Sequence, residues 1–232
     1  MRVELEPAFV LHHRPFRDTS LVLETFTRHH GRVGLVARAA RGPRSRFRGL
    51  LQPFRPLLLS WRLQGELGTL TSAEAASPAA PPAGGERLLG AFYMNELVLR
   101  LTGRLDAHGE LFDAYAIALA ALPSGEPAPV LRVYEKRLLQ ALGYAPDLSR
   151  DEAGQPLDPE GWYRYEPGVG LAPARDDSHG ALAGSSIVAL AAERLDSPRA
   201  LRDARQLLRS ALDVHLGDRP LRTRELLARL RR

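Results

Sequence analysis

The sequence predicts an α+β chain, with a small closed β-barrel at the N-terminus followed by a mainly α-helical domain. Three observations carry this prediction. Residues 7–75 contain five short runs rich in Leu, Val, Phe or Thr, separated by turn residues. A stretch of Ala, Pro and Gly, SPAAPPAGG at 77–85, then interrupts the chain. Beyond it the apolar residues recur at helical spacing.

The strand runs are PAFVLHH, TSLVLETF, RVGLVARA, PLLLSW and LGTLTSAEA. Leu57, Leu59 and Trp61 share one face of an extended chain, and Ser60 and Arg62 the other. Turns fall at Arg14-Pro15, His30-Gly31, Arg41-Gly42-Pro43 and Gln64-Gly65. Five strands in about 70 residues match the size of an OB-type barrel, so residues 1–76 are assigned to it and 77–85 to a linker. The helical domain, 86–232, opens with three segments at 86–101, 109–122 and 127–143, expected to form a compact bundle, with Gly143 as a C-terminal stop. Residues 144–184 lose periodicity and hold many Gly and Pro; WYRYEPGVGLA reads there as a small hairpin in which Trp162, Tyr163 and Tyr165 cover the helices. Helices return at 185–195 with a serine cap, at 197–217 between Ser197-Pro198 and Gly217, and at 223–230 with a Thr223 cap.

Cysteine is absent, which excludes disulfides, thiolate chemistry and a thiolate zinc site. The N-terminus MRVELEPAFVLHH lacks the form of a secretory signal, and no apolar run approaches the roughly 20 residues of a membrane span. The net charge is +5, unevenly spread: 12 basic against 6 acidic residues in 1–80, 9 against 15 in 81–189, and 11 against 6 in 190–232. Lys136 is the only lysine.

Residues 28–54 contain seven arginines and no acidic residue. In an extended chain Arg44, Arg46 and Arg48 point the same way, with Arg38 and Arg41 just upstream. Guanidiniums grip phosphates in bidentate fashion and stack on bases, so nucleic acid is the natural partner. Arg14, Arg17 and Arg32 complete the candidate DNA-binding set. Phe16, Phe47, Phe54 and Trp61 are candidates for base stacking, although core packing suits each of them better. A second basic surface is expected from Arg202, Arg205 and Arg209, an exposed helical stripe, with Arg222 and Arg224. A plain solvated face is the simplest reading of that stripe, with DNA and an acidic protein partner as its two functional readings.

Signatures of catalysis are missing. There is no phosphate loop or nucleophile elbow, and Gly31-Arg32-Val33-Gly34 is too short for a dinucleotide fingerprint. The histidine pairs at 12–13 and 29–30 are poor chelates, because adjacent strand residues face opposite ways. Neither an active site nor a cofactor is expected.

In register along the chain, AFVLHHRPFRDTSLVLETFT, GRVGLVARAARGPRSRFRGLLQPFRPLLLSWRLQGELGTLTSAEA, YMNELVLRL, ELFDAY, LRVYEKRLLQALGY and PLRTRELL resemble the RecO family of recombination mediators. The resemblance implies an OB barrel, a helical C-terminal domain and no turnover. It implies binding of single- and double-stranded DNA, annealing of complementary strands, and work with RecR to load RecA on DNA coated by single-stranded-DNA-binding protein. It also implies a bacterial cytoplasmic, nucleoid-associated location. Many members carry a four-cysteine zinc site where this chain has DLSRDEAGQPLDPEGWYRYEPG, so here that segment must be held by packing, with Trp162 and Tyr165 as candidates. Arg132 matches the family's arginine for the acidic C-terminal tail of single-stranded-DNA-binding protein; Leu131 and Lys136 complete the expected groove. An i,i+3 pair of Arg132 with Glu135 is the plain alternative. Two other functional classes fit the charge pattern: an adaptor for acidic protein tails with little direct DNA role, and an RNA-binding OB protein.

Overall fold

The computed structural model describes residues 1–77, 82, 84–177 and 180–230, with the side chains of 228 and 230 excepted. Most of the stretch read as a linker, 77–85, lies outside the described residues. The chain divides into two compact units, Met1–Ser124 with Leu221–Arg232, and Gly125–Pro220.

The first unit is built on a closed barrel in the order β1-β2-β3-β5-β4, from β1 (Arg2–Phe16), β2 (Ser20–Thr27), β3 (Gly31–Ala37), β4 (Leu57–Gln64) and β5 (Leu67–Ala75). β3 and β5 run parallel at Leu35–Gly68 and Val36–Thr69; the other pairs are antiparallel. The 15-residue β1 closes the barrel by pairing with β4 through its first half and with β2 through its second. Irregularities between Val3 and Glu6, and between Val10 and His12, give it the bend this requires. Gly68 is needed for closure, because a Cβ there would stand 2.7 Å from the Leu35 side chain and 3.2 Å from Trp61.

Alternation along β1 places Ala8 and Val10 in the barrel core with Leu23, Leu35, Leu59 and Trp61. The opposite face of β1 is also buried, at Phe9 and Leu11. That second apolar face needs a cover, and α2 (Gly109–Ala121) supplies it: Phe112 and Tyr115 pack on Phe9 and Phe26 at ring-centroid distances of 5.0–5.9 Å. A buried relay joins three elements. Tyr115 donates to Asn95 Oδ1 at 2.6 Å, and Asn95 Nδ2, on α1 (Gly85–Leu101), donates to the Leu11 carbonyl at 2.8 Å. Glu6 staples β1 to the β2–β3 turn, accepting from the His29 N–H at 2.7 Å and contacting its Nδ1 at 3.1 Å.

The first three helices therefore do not form the expected bundle. α1 and α2 belong to the barrel unit and α3 (Pro127–Ala141) to the other. The chain returns to the first unit through α6 (Arg222–Leu230). Thr223 is not its cap. It lies inside the first turn, and the Glu96 carboxylate accepts from the Arg222 N–H, the Thr223 N–H and the Thr223 hydroxyl.

The second unit holds α3, a small sheet ordered β7-β6-β8, α4 (Gly184–Ala191) and α5 (Pro198–Leu216). The expected hairpin is β6 (Trp162–Glu166) and β7 (Gly170–Ala174), and β8 (Leu182–Ala183) pairs with β6. Gly143 and Ser197 act as expected. Gly143, at φ 74°, ends α3 while Tyr144 N–H donates to Leu139 O, and Ser197 Oγ accepts from Ala200 N–H at 3.1 Å. The serine cap of α4 does not form: Gly184 and Ser185 N–H groups donate to the Gly161 and Pro159 carbonyls of the preceding loop.

Asp turns hold that loop. Asp147 accepts from Ser149 N–H and Oγ, and Asp151 from the Ala153 and Gln155 amides. Its buried aromatic anchor is Tyr163, whose hydroxyl accepts from Asp158 N–H at 2.7 Å, whereas Tyr165 is only partly buried. Trp162 lies under the Arg199 guanidinium, 4.4 Å from the ring centroid. Among the described residues no cluster of three or more His, Asp or Glu side chains is placed to hold a metal ion, and no helix is long and apolar enough to cross a membrane.

Candidate nucleic-acid interface

The arginine-rich segment is the connection from β3 to β4, residues 38–56. It is not extended. Gly42 N–H donates to Ala39 O, Ser45 to Gly42, Arg48 to Ser45 and Leu50 to Phe47, a succession of turns. The strand-like alternation expected for Arg44, Arg46 and Arg48 is therefore absent, yet all three are exposed, as are Arg38 and Arg41. The segment is pinned from below by Ala40, Phe47 and Leu51, which enter the barrel core. Apolar residues thus go inward and guanidiniums outward within one loop. Arg38, Arg44 and Arg46 border an open cleft of about 770 Å³, with Gly42, Pro43 and Ser45.

The β1–β2 turn adjoins this loop, since Arg41 N–H donates to Thr19 O at 2.8 Å. Exposed Arg14 and Arg17 sit at that end of β1, with the Arg17 guanidinium 5.2 Å from the Phe16 ring centroid. Arg46 Nη2 donates to Thr71 O at 2.7 Å and lies 4.8 Å over Phe47. Among the described residues, none of Arg14, Arg17, Arg38, Arg41, Arg44, Arg46 and Arg48 meets a carboxylate. Arg55 was missed from the sequence. Its Nη1 donates to Gly49 O at 2.7 Å, which sets another uncompensated cation beside Arg48. The signal was present in the sequence, since Arg55 immediately follows the acid-free stretch.

Arg32 differs from these. It is largely buried on β3 and pairs with Glu24 of β2 at 3.3 Å, a carboxylate shared with Arg104 at 2.6 Å. Burial pushes the Arg32 guanidinium below its ordinary pKa, and its charge is already compensated. Of the stacking candidates, Phe47, Phe54 and Trp61 are buried, and Phe16 is partly covered.

The other expected sites fall out differently. Arg202, Arg205 and Arg209 are exposed on α5 in the second unit, and Arg209 faces Asp213 at 3.4 Å. Arg222 and Arg224 belong to the first unit, where the Arg224 guanidinium lies 5.8 Å from the Tyr93 ring centroid. On α3, Leu131 is buried and Arg132, 13% exposed, pairs with Glu135 at 2.5 Å. The i,i+3 alternative is thus the arrangement present. Lys136 Nζ donates to Ala191 O at 2.8 Å and to Glu193 at 3.1 Å, and Arg137 meets the same carboxylate at 2.5 Å. The two cations hold the Glu193 carboxyl below its ordinary pKa, Arg137 most strongly.

Comparison with known proteins converges on one family. Residues 1–79 match the family described as Recombination protein O N terminal, and residues 83–225 match Recombination protein O C terminal. The DNA repair protein RecO of Nitrosococcus oceani is 47% identical over 239 residues, covering 100% of this chain and 96% of the relative. The RecO proteins of Ralstonia nicotianae and Alkalilimnicola ehrlichii are 42% and 44% identical, across 100% of this chain and 86% and 93% of theirs. On both halves of its length, the chain belongs to the RecO family of DNA repair proteins.

Proposed function

We propose that this protein is a non-catalytic recombination mediator that binds single- and double-stranded DNA on the arginine face of its barrel and anneals complementary strands. The observation that carries this reading is the group Arg38, Arg41, Arg44, Arg46 and Arg48: five exposed guanidiniums with no carboxylate partner among the described residues, on a loop anchored in the barrel core. Arg14 and Arg17 extend the same end of the barrel. Annealing is downhill once bases stack; repulsion between two polyanions slows it. A cationic surface that neutralises one strand lowers that repulsion and raises the encounter rate.

Membership of the family supports the further steps, in which the protein acts with RecR to load RecA onto DNA coated by single-stranded-DNA-binding protein. The acidic tail of that protein is assigned to Leu131, Arg132 and Lys136, where its carboxylate would displace Glu135 from Arg132. The α5 stripe of Arg202, Arg205 and Arg209 is assigned to a second strand or an acidic partner.

A salt titration of oligonucleotide binding, combined with an annealing assay, tests the reading. Five neutralised phosphates on a single strand give a slope of roughly −3.5 in log K against log salt. Combined Arg44→Glu, Arg46→Glu and Arg48→Glu should flatten that slope and slow annealing. Unchanged affinity would remove the barrel face from the mechanism. Competition by RNA of the same sequence at equal strength would instead favour a general single-strand binder.

A further inference from the structure

We propose that Phe92, on α1, is a base-stacking platform that makes the barrel face prefer single strands to duplex. This rests on the DNA reading above. Among the described aromatic side chains of the first unit, Phe92 is 40% exposed, while the others are buried apart from Phe16, which Arg17 partly covers. It is also tied to the arginine loop. The Phe54 ring stands edge-on to Phe92, with centroids 4.9 Å apart at 76°. Phe54 is buried and adopts φ 69°, a left-handed backbone that a bulky residue rarely takes. The adjacent Arg55 grips the Gly49 carbonyl, next to Arg48. An exposed aromatic side chain is thus linked to two uncompensated guanidiniums: Phe92 contacts Phe54, its chain neighbour Arg55 bonds to Gly49 O, and Gly49 follows Arg48.

The chemistry that fits is an unpaired nucleobase with its phosphate. Arg48 and Arg55 take the phosphate, and the exposed Phe92 ring takes the base, which stacks regardless of sequence because every base has a π-face. A base inside a duplex is already stacked on both sides and cannot use Phe92. The phosphate contacts are common to both forms, so Phe92 acts as the discriminating residue. Pairing with a complementary strand withdraws the base from the ring, which weakens the hold on the duplex product and favours its release.

The test measures affinities of the full chain for a single strand, for the matching duplex, and for an abasic strand of equal charge. Phe92→Leu keeps an apolar contact for Phe54 but removes the aromatic face; Phe92→Trp restores one. Phe92→Leu should bind the single strand about fivefold to a hundredfold more weakly, with duplex affinity and salt slope unchanged. Its preference for the base-bearing over the abasic strand should vanish, and Phe92→Trp should recover both. The stacking role is overturned if Phe92→Leu matches the wild type on single strands, or loses single strand and duplex equally. The combined Arg44, Arg46 and Arg48 variant, run alongside, reports on the cationic face: it should lose both DNA forms. If it loses neither, or if the wild type binds no oligonucleotide, the arginine reading and the stacking role fall together.

Discussion

The barrel loop with Arg38, Arg41, Arg44, Arg46 and Arg48, and α3 with Arg132, Lys136 and Arg137, are both concentrations of cations, but they end in opposite states. In the loop no guanidinium of the five meets a carboxylate among the described residues. On α3 all three are neutralised, Arg132 by Glu135, and Lys136 and Arg137 by Glu193. Sequence neighbours alone do not set the difference: Arg28 and Arg32 of the acid-free stretch find Asp113 and Glu24, and Lys136 and Arg137 find Glu193, more than 50 residues away, whereas no acid packs against the five loop arginines among the described residues. A cation is available to a phosphate only where folding has not already given it a carboxylate. Lys136 and Arg137 tie α3 to the end of α4 and Glu193, Arg132 pairs within α3, and any anionic ligand there would compete with Glu135 or Glu193.

The largest test of this contrast is Lys136→Ala. Lys136 reaches both the Ala191 carbonyl at the end of α4 and Glu193, and its side chain is 11% exposed. Its loss should cost about 2–3 kcal/mol in urea denaturation, somewhat under the ~3–5 of a fully buried pair because Arg137 still meets Glu193. DNA affinity should be unchanged. A neutral effect on stability would mean that the α3 cations are not structural.

Next comes the combined Arg44→Ala, Arg46→Ala and Arg48→Ala variant. At ~0.7 of a power of salt per phosphate, each contact is worth about fivefold at 0.1 M, so three should cost about a hundredfold in single-strand affinity. Thermal stability should stay within about 1 kcal/mol, because all three are exposed and lack carboxylate partners, and only Arg46 is tied to the barrel, by one exposed bond to Thr71 O and its contact with Phe47.

A smaller effect sharpens the comparison inside the acid-free stretch itself. Arg44→Ala alone should weaken oligonucleotide binding about fivefold. Arg32→Gln should change it less than about twofold, because Glu24 already compensates that guanidinium. Equal losses in the two would place Arg32 on the DNA path.

The smallest effect is on pH dependence. The folded-state pKa of Glu193 lies below its ordinary 4.5. Its contribution is therefore present above about pH 4.5 and is lost as pH falls through the depressed folded value. Denaturation midpoints followed downward from pH 6 should decline in the wild type and decline less steeply in Glu193→Gln. Identical profiles would assign the acid sensitivity elsewhere, Asp113 beside Arg28 being another depressed carboxyl.

By itself the sequence determined the local structure. The strand runs, the helices, the hairpin at 162–174, the Ser197 cap and the Gly143 stop all depend on neighbours within a few residues, and their spacing is visible in one dimension. It also determined that residues 28–54 could not neutralise their own charge. Tertiary structure decided what depends on distant partners. Phe9 and Phe26 gave the barrel a second apolar face and drew α2 onto it. Glu96, 127 residues from Thr223, replaced the expected cap of α6. Strand register set Glu24 within reach of Arg32, and Phe47, inside the arginine run, became a core residue. Burial and ion pairing are long-range quantities, fixed only when packing chooses which elements meet, and they decide which arginines remain without a carboxylate.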